Sequence, residues 1–249
     1  MSATAKGEQL LVGKRVLVTG GSRGLGRSIC ITFTAMGARI AFTYTRHEEE
    51  ARAVLDACQS AESFRVSVLD SVATEAMVQK LEKAWGGIDI LVNNAGITQT
   101  FPIALLEEED WDRVMDVNVK GTFLTSKAVL PGMIRRKGGV ILNIGSLAGS
   151  RMLEAPAHYC ASKAAVKGLT QAMAKELARY RIRVLCLAPG LLEDGMGRNI
   201  PEHSLAEYLR HCALGRLGTL EETARCAAFM VSDLNSYMNG ETIVMDGGI

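Results

Sequence analysis

Three polar residues stand close together in the middle of the chain, in GSLAGSRMLEAPAHYCASK (Gly145–Lys163): Ser146, Tyr159 thirteen residues on, and Lys163 four further. Tyr159 and Lys163 share one face of a predicted helix, because residues four apart are neighbours there. A phenol ordinarily titrates near pH ~10. A neighbouring ammonium favours the phenolate and is expected to lower that value. Tyr159 is then suited to give a proton to a carbonyl oxygen near neutral pH. Ser146 follows the apolar run VILNIG, so its hydroxyl emerges at a strand end, where it polarises the same oxygen. A lone Y-x-x-x-K is ordinarily a packed tyrosine and a surface lysine. The other strand ends decide between the two readings.

The first strand ends in TGGSRGLG (Thr19–Gly26), with glycines at 20, 24 and 26. The spacing departs from G-x-G-x-x-G, but the physics is shared. Gly20 permits a tight turn, Gly24 and Gly26 let backbone approach a phosphate, and the next helix offers free N–H groups. Ser22, Arg23 and Leu25 complete the turn. The second strand ends in TYTRH, with Tyr44 where NAD-binding folds place an acid for the ribose. Arg46 follows, and Arg23 adds a second guanidinium, a group suited to phosphate. NADP(H) is therefore the expected cofactor. Asp70 either hydrogen-bonds an adenine amino group or caps the helix at Ala73. NNAG (Asn93–Gly96) closes the fourth strand: its asparagines brace backbone, and Gly96 leaves room for a ribose or nicotinamide. Asn118 lies inside a helical pattern, its direction open.

These residues need a scaffold. Short apolar runs alternate with amphipathic stretches: KRVLVTG, RIAFTY, SFRVSVLD, IDILVNNAG, GVILNIGS, IRVLCLAPG and GETIVMDGG read as seven strands. The intervening helices imply right-handed βαβ crossovers and an α/β Rossmann-like, doubly wound parallel sheet with helices on both faces. Glu107–Arg136 reads as one long helical stretch and Ala157–Arg179 as another. No linker divides the 249 residues, so one domain, 1–249, is expected. The segment 191–217, without a clear strand, is placed to cover the site as a lid.

A formal net charge of +1 gives no basic excess for nucleic acid. No apolar run reaches the ~20 residues of a membrane span, and the start shows no secretory signal, so a cytoplasmic protein is expected. The six cysteines and four histidines lack metal-ligand spacing, so no metal site is expected.

With these motifs in place, the chain resembles the short-chain dehydrogenase/reductases. The resemblance rests on T-G-x-x-x-G-x-G at Thr19–Gly26, N-N-A-G at Asn93–Gly96, Asn118, Ser146, Y-x-x-x-K at Tyr159–Lys163 and P-G at Pro189–Gly190, in order across nearly the whole chain. It implies a homotetramer or homodimer and NAD(P)-dependent carbonyl or alcohol chemistry. It implies Tyr159 as acid/base, Lys163 on the nicotinamide ribose, Ser146 on the substrate carbonyl, and Asn118 holding a relay water through its backbone. The cofactor would also meet Asn94, Ala95, Pro189, Gly190 and Leu192. Within the family, LVNNAGIT, WDRVMDVNVKGTFL and MNGETIVMDGG are similar to 3-oxoacyl-(acyl-carrier-protein) reductases of fatty acid or polyketide biosynthesis. That likeness implies NADPH, Thr45 and Arg46 on the 2′-phosphate, and Asp70 and Ser71 on the adenine. It also implies a carrier-protein-bound substrate. Arg135–Lys137 and Arg179–Arg181 either meet that acidic carrier or are solvated helix ends. Relatives commonly carry a threonine where Asp194 stands; an acid facing the pyrophosphate is repelled, so it points outward or the lid closes differently. The alternatives are a reductase of another ketone or secondary alcohol (polyketide, sugar or steroid) and a non-catalytic NADP-binding member.

Overall fold

The computed structural model describes residues 9–152, 154–194 and 202–249. Seven strands form one parallel sheet in the order β3-β2-β1-β4-β5-β6-β7. They are β1 (Arg15–Val18), β2 (Arg39–Tyr44), β3 (Glu62–Arg65), β4 (Ile90–Asn93), β5 (Gly139–Ile144), β6 (Ile182–Pro189) and β7 (Thr242–Met245). The seven-stranded parallel expectation holds. Successive strand side chains point to opposite faces, so each apolar run feeds two cores. Val16 and Val18 pack with helices α1 (Gly24–Ala35), α2 (Glu48–Ala57) and α8 (Leu220–Val231). Leu17 packs on the other face, with α3 (Ser71–Trp85), α5 (Gly121–Arg136) and α6 (Ala157–Leu177). Strand order reverses between β1 and β4, and the crevice beyond the strand C-termini at such a point is where open α/β sheets hold ligands.

Three local readings need correction. β3 ends at Arg65 rather than running on to Asp70, because Val66 and Asp70 turn back on the Phe64 and Ser67 carbonyls. The stretch Glu107–Arg136 is two helices, α4 (Glu108–Met115) and α5, joined by a π turn at Asp116–Lys120 in which Gly121 N–H reaches the Asp116 carbonyl. A helix not foreseen, α7 (Glu202–His211), lies inside 191–217; part of that segment, 195–201, falls outside the described residues.

Candidate active site

One large cleft opens at the C-terminal ends of the strands, and most of the residues singled out in the sequence line it. Its floor is the turn after β1. Gly20 and Gly24 take positive φ (67° and 51°), which a side chain would strain. A Cβ on Gly26 would lie 2.2 Å from the Gly20 carbonyl oxygen, so the turn closes only on glycine. The turn is fastened on both sides. Gly20 N–H donates to Thr43 Oγ1 (3.2 Å), and Asn94 Nδ2 donates to the Thr19 and Gly20 carbonyls (3.0 Å each). Thr19 Oγ1 accepts from the Asn94 and Ala95 N–H groups. α1 begins on this turn with Arg23 at its N-cap, no side-chain cap and no acid in its first turn. Its unpartnered N–H groups and dipole favour an anion there.

At the far end of the cleft from the tyrosine stand Thr45, Arg46 and Arg23, with Ser22, Gly24 and Leu25 between. Asp70 and Ser71 do not line it. The Asp70 carboxylate caps α3, accepting from Ala73 N–H at 2.9 Å. Because β3 stops short, Ser67 and Val68 occupy the cleft wall instead. The helix-cap reading of Asp70 is the one the geometry shows.

The middle of the cleft holds the reactive group. Ser146 follows β5 and starts a short 3₁₀ turn, Leu147–Gly149, its Oγ accepting from Ala148 N–H at 3.2 Å. That turn lies against α6 because Gly149 has no side chain: a Cβ there would sit 2.5 Å from the Lys163 carbonyl carbon. Ser146 thus comes within hydrogen-bonding reach of the Tyr159 phenol. Lys163 is buried, 4% exposed, and its Nζ donates to the Ile144 carbonyl at 2.8 Å. Nζ lies 5.7 Å from the Tyr159 ring centre. A Cβ on Gly96 would stand 3.6 Å from the same Nζ, so the bare glycine keeps space in front of the ammonium.

Burial pushes the Tyr159 phenol above its ordinary value; the Ser146 hydrogen bond pulls the other way, and nearby Cys160 adds to the rise. The acidification expected from Lys163 is not what sets the phenol in this cleft: burial does, and it favours the protonated, donating form. Burial likewise lowers Lys163 to about 8, with Cys186 opposing.

Asn118 is buried in the π turn and lies behind the cleft wall. Its Oδ1 accepts from Ile97 N–H (2.8 Å), and its Nδ2 donates to the Ile97 carbonyl (3.0 Å) and to Ser162 Oγ (2.9 Å). Its carbonyl accepts from Thr122 Oγ1. The side chain fastens the strand-four loop to α6, a role the sequence reading did not foresee; that reading gave the Asn118 backbone a relay water.

Pro189, Gly190, Leu192 and Asp194 line the remaining wall. A Cβ on Gly190 would meet the Tyr208 hydroxyl at 2.3 Å, and that hydroxyl accepts from Leu191 N–H at 3.0 Å. Tyr208 ties α7 to the end of β6. Asp194 takes its place on the cleft wall. Thr43, Ser162 and Tyr208 are site residues that the motifs did not mark, and Thr19, inside the glycine-turn motif, was given no role of its own. Each acts by holding backbone, a role any Ser, Thr or Tyr can have.

Arg135 and Arg136 pair with Glu82, and Arg136 also donates to the Ile88 carbonyl. With Lys137 and Arg179–Arg181 they precede β5 and β6, at the end of the sheet away from this chain's cleft. Among the described residues no cluster of metal-ligating side chains occurs, and no helix is long and apolar enough to cross a membrane.

Known proteins share both the chain and its shape. A family model described as Enoyl-(Acyl carrier protein) reductase matches residues 20–249. The 3-oxoacyl-[acyl-carrier-protein] reductase FabG of Chlamydia pneumoniae is 39% identical over 243 residues, covering 96% of this chain and 98% of that protein. The enzyme of that name from Escherichia coli K12 is 37% identical over 238 residues, covering 95% and 97%. Among solved structures, a short-chain dehydrogenase from Burkholderia cenocepacia in complex with NADP superposes with a TM-score of 0.89 at 35% identity, covering 96% and 98%. A gluconate 5-dehydrogenase from the same organism, with NADP and tartrate, gives 0.90 at 33%, covering 96% of each chain. With full-length kinship and a serine, tyrosine and lysine gathered at the switch point of a parallel sheet, the chain belongs to the short-chain dehydrogenase/reductase family.

Proposed function

We propose that this chain is an NADPH-dependent ketoreductase that converts a 3-oxoacyl thioester, carried on an acyl carrier protein, to the 3-hydroxyacyl product. The observation that carries the reading is the convergence of Ser146, Tyr159 and Lys163 on one cleft with the glycine-rich turn. The full-length relatives named as 3-oxoacyl-[acyl-carrier-protein] reductases support the substrate class. The residues present fit the cofactor: the Gly20–Gly26 turn and the start of α1 receive its pyrophosphate, Arg23 and Arg46 its 2′-phosphate, and Lys163, across the space at Gly96, its nicotinamide ribose. When bound, NADPH supplies the hydride to the carbonyl carbon. Ser146 donates a hydrogen bond to the carbonyl oxygen and orients it. Tyr159, kept protonated by burial, gives its proton to that oxygen as negative charge develops. Asn118 holds the Ile97 loop and α6 in register while this happens.

The family model's description names enoyl reduction instead. A serine and a tyrosine set to grip one oxygen favour a carbonyl over a carbon–carbon double bond. The gluconate 5-dehydrogenase superposition favours a second reading, a polyol or sugar-acid dehydrogenase on the same machinery. NADPH oxidation with a panel of 3-oxoacyl thioesters, their 2-enoyl counterparts, simple ketones and keto-sugar acids separates these. Preferred turnover of 3-oxoacyl thioesters is expected. Preference for enoyl thioesters or keto-sugar acids overturns the reading, as does NADPH binding without turnover of any of them.

A further inference from the structure

Several arginines of this surface are engaged: Arg15, Arg39, Arg52, Arg210, Arg216 and Arg225 each hold a carboxylate. Of those that line the cleft, Arg23, Arg27, Arg46, Arg65 and Arg113 have no carboxylate partner among the described residues, and all are exposed. Three of them, Arg23, Arg46 and Arg65, belong to the turn after β1, the tip of β2 and the end of β3, which are neighbours in the sheet. Arg65 was not expected there. It ends β3, directly across the parallel ladder from Tyr44, the position where an acid would grip the ribose of NAD. Its Nε donates to the Thr45 carbonyl at 3.2 Å, which fixes the guanidinium beside the Thr45–Arg46 turn and leaves its terminal nitrogens unpartnered. The nearby acids are already committed. Glu62 faces Arg39 and Trp85 Nε1, Glu48 pairs with Arg52, and Glu50, which also lines the cleft, pairs with His47. Three like charges around one space repel unless an anion joins them. A planar fork is the group best shaped to share phosphate oxygens.

We infer that Arg65 is a further specificity-determining residue of this chain, a third guanidinium that reads the cofactor's 2′-phosphate from the neighbouring strand. The inference rests on the NADPH reading above and extends it. Arg23 approaches from the turn after β1, Arg46 from the tip of β2 and Arg65 from β3, so the phosphate is met from three elements. The Thr45 bond also stiffens the turn that carries Arg46.

Calorimetric titration of NADP⁺ and NAD⁺ into wild type, Arg65→Gln and Arg65→Lys tests it without turnover. Arg65→Gln is expected to weaken NADP⁺ about tenfold, in line with loss of one charge-assisted contact, and to change NAD⁺ less than twofold. Arg65→Lys is expected to fall between, keeping charge without the fork. Raising salt should weaken NADP⁺ more in wild type than in Arg65→Gln. If wild type prefers NADP⁺ and Arg65→Gln keeps that preference undiminished, the inference fails and the cofactor reading stands. Equal loss for both nucleotides overturns it as well, showing a structural role only. No NADP⁺ preference in wild type sinks both.

Discussion

The reactive phenol and the buried ammonium differ in what they contribute to the molecule. Burial keeps Tyr159 protonated, which suits a proton donor, so Tyr159→Phe removes the proton without removing the ring. NADPH affinity should stay within twofold while kcat falls by roughly 10²–10⁴, the usual span of general acid catalysis; near-normal kcat removes Tyr159 from the chemistry. Lys163 is held at about 8 by burial, so the ligand-free fold binds its proton less firmly than the unfolded chain. The cost of that charge is fully present below about pH 8, and it is relieved as pH rises from about 8 to 10.5. It amounts to roughly 3 kcal/mol, offset in part by the bond to Ile144. Lys163→Met should therefore be inactive yet melt higher than wild type at pH 7, the gap closing towards pH 10 in thermal unfolding. A lower Tm at pH 7 would mean the Ile144 bond outweighs desolvation. The same kind of contrast hides Arg65: its type is visible in the sequence, but its partner Tyr44 lies on another strand.

Elements bring these residues together through places where no side chain fits. The 3₁₀ turn carrying Ser146 rests on α6 at Gly149, whose added Cβ would strike backbone, Lys163 C at 2.5 Å and Ala164 N at 2.6 Å. Backbone has no rotamer to yield, so turn and helix must part. Gly149→Ala is expected to lower stability by about 1–3 kcal/mol and to reduce kcat more than cofactor affinity, since it moves Ser146 from Tyr159 and leaves the Gly20–Gly26 turn intact. A kcat unchanged beside a lowered Tm would show that the turn does not set the Ser146 position. The π turn at Asp116–Lys120 works likewise: it turns Asn118 inward to clamp Ile97 and Ser162, consistent with the frequent placement of such turns at functional sites. A uniform 3.6-residue pattern over Glu107–Arg136 could not reveal it.

Across the whole molecule, Arg15 is one of the groups that hold the end of the sheet opposite the cleft. Arg15 offers its backbone N–H, Nε and Nη2 to the Asp89 carboxylate and Nη1 to the Trp85 carbonyl, tying β1 to the entry of β4. Burial alone would raise the Asp89 carboxyl, but the Arg15 hydrogen bonds and charge bring it below its ordinary value. Its stabilising contribution is therefore present above the unfolded value near ~3.9 and is lost as pH falls through the lower, folded value. Asp89→Asn should lower stability by about 1–2 kcal/mol at pH 7, with screening discounting the partly exposed pair. It should leave NADP⁺ affinity unchanged, because the latch and the cleft lie at opposite ends of the strands. Denaturant unfolding and calorimetric binding check the two halves, and coupled losses would show that the latch shapes the cleft.

What the sequence determined by itself was everything carried by local period and local chemistry. Alternating apolar runs and amphipathic stretches specified seven parallel strands with helices between them, because each run can bury itself only in that layering. The glycine turn, NNAG and the Ser146–Tyr159–Lys163 set were legible because each is a strand end or helix start with its chemistry contained in a few neighbours. The tertiary structure decided what depends on residues far apart in the chain. It turned Asp70 from adenine towards a helix cap, set Arg65 beside Tyr44, gave Asn118 three partners and let burial set the phenol. Those outcomes depend on where strands stop and on what excludes water, and both are fixed only when the packed layers meet.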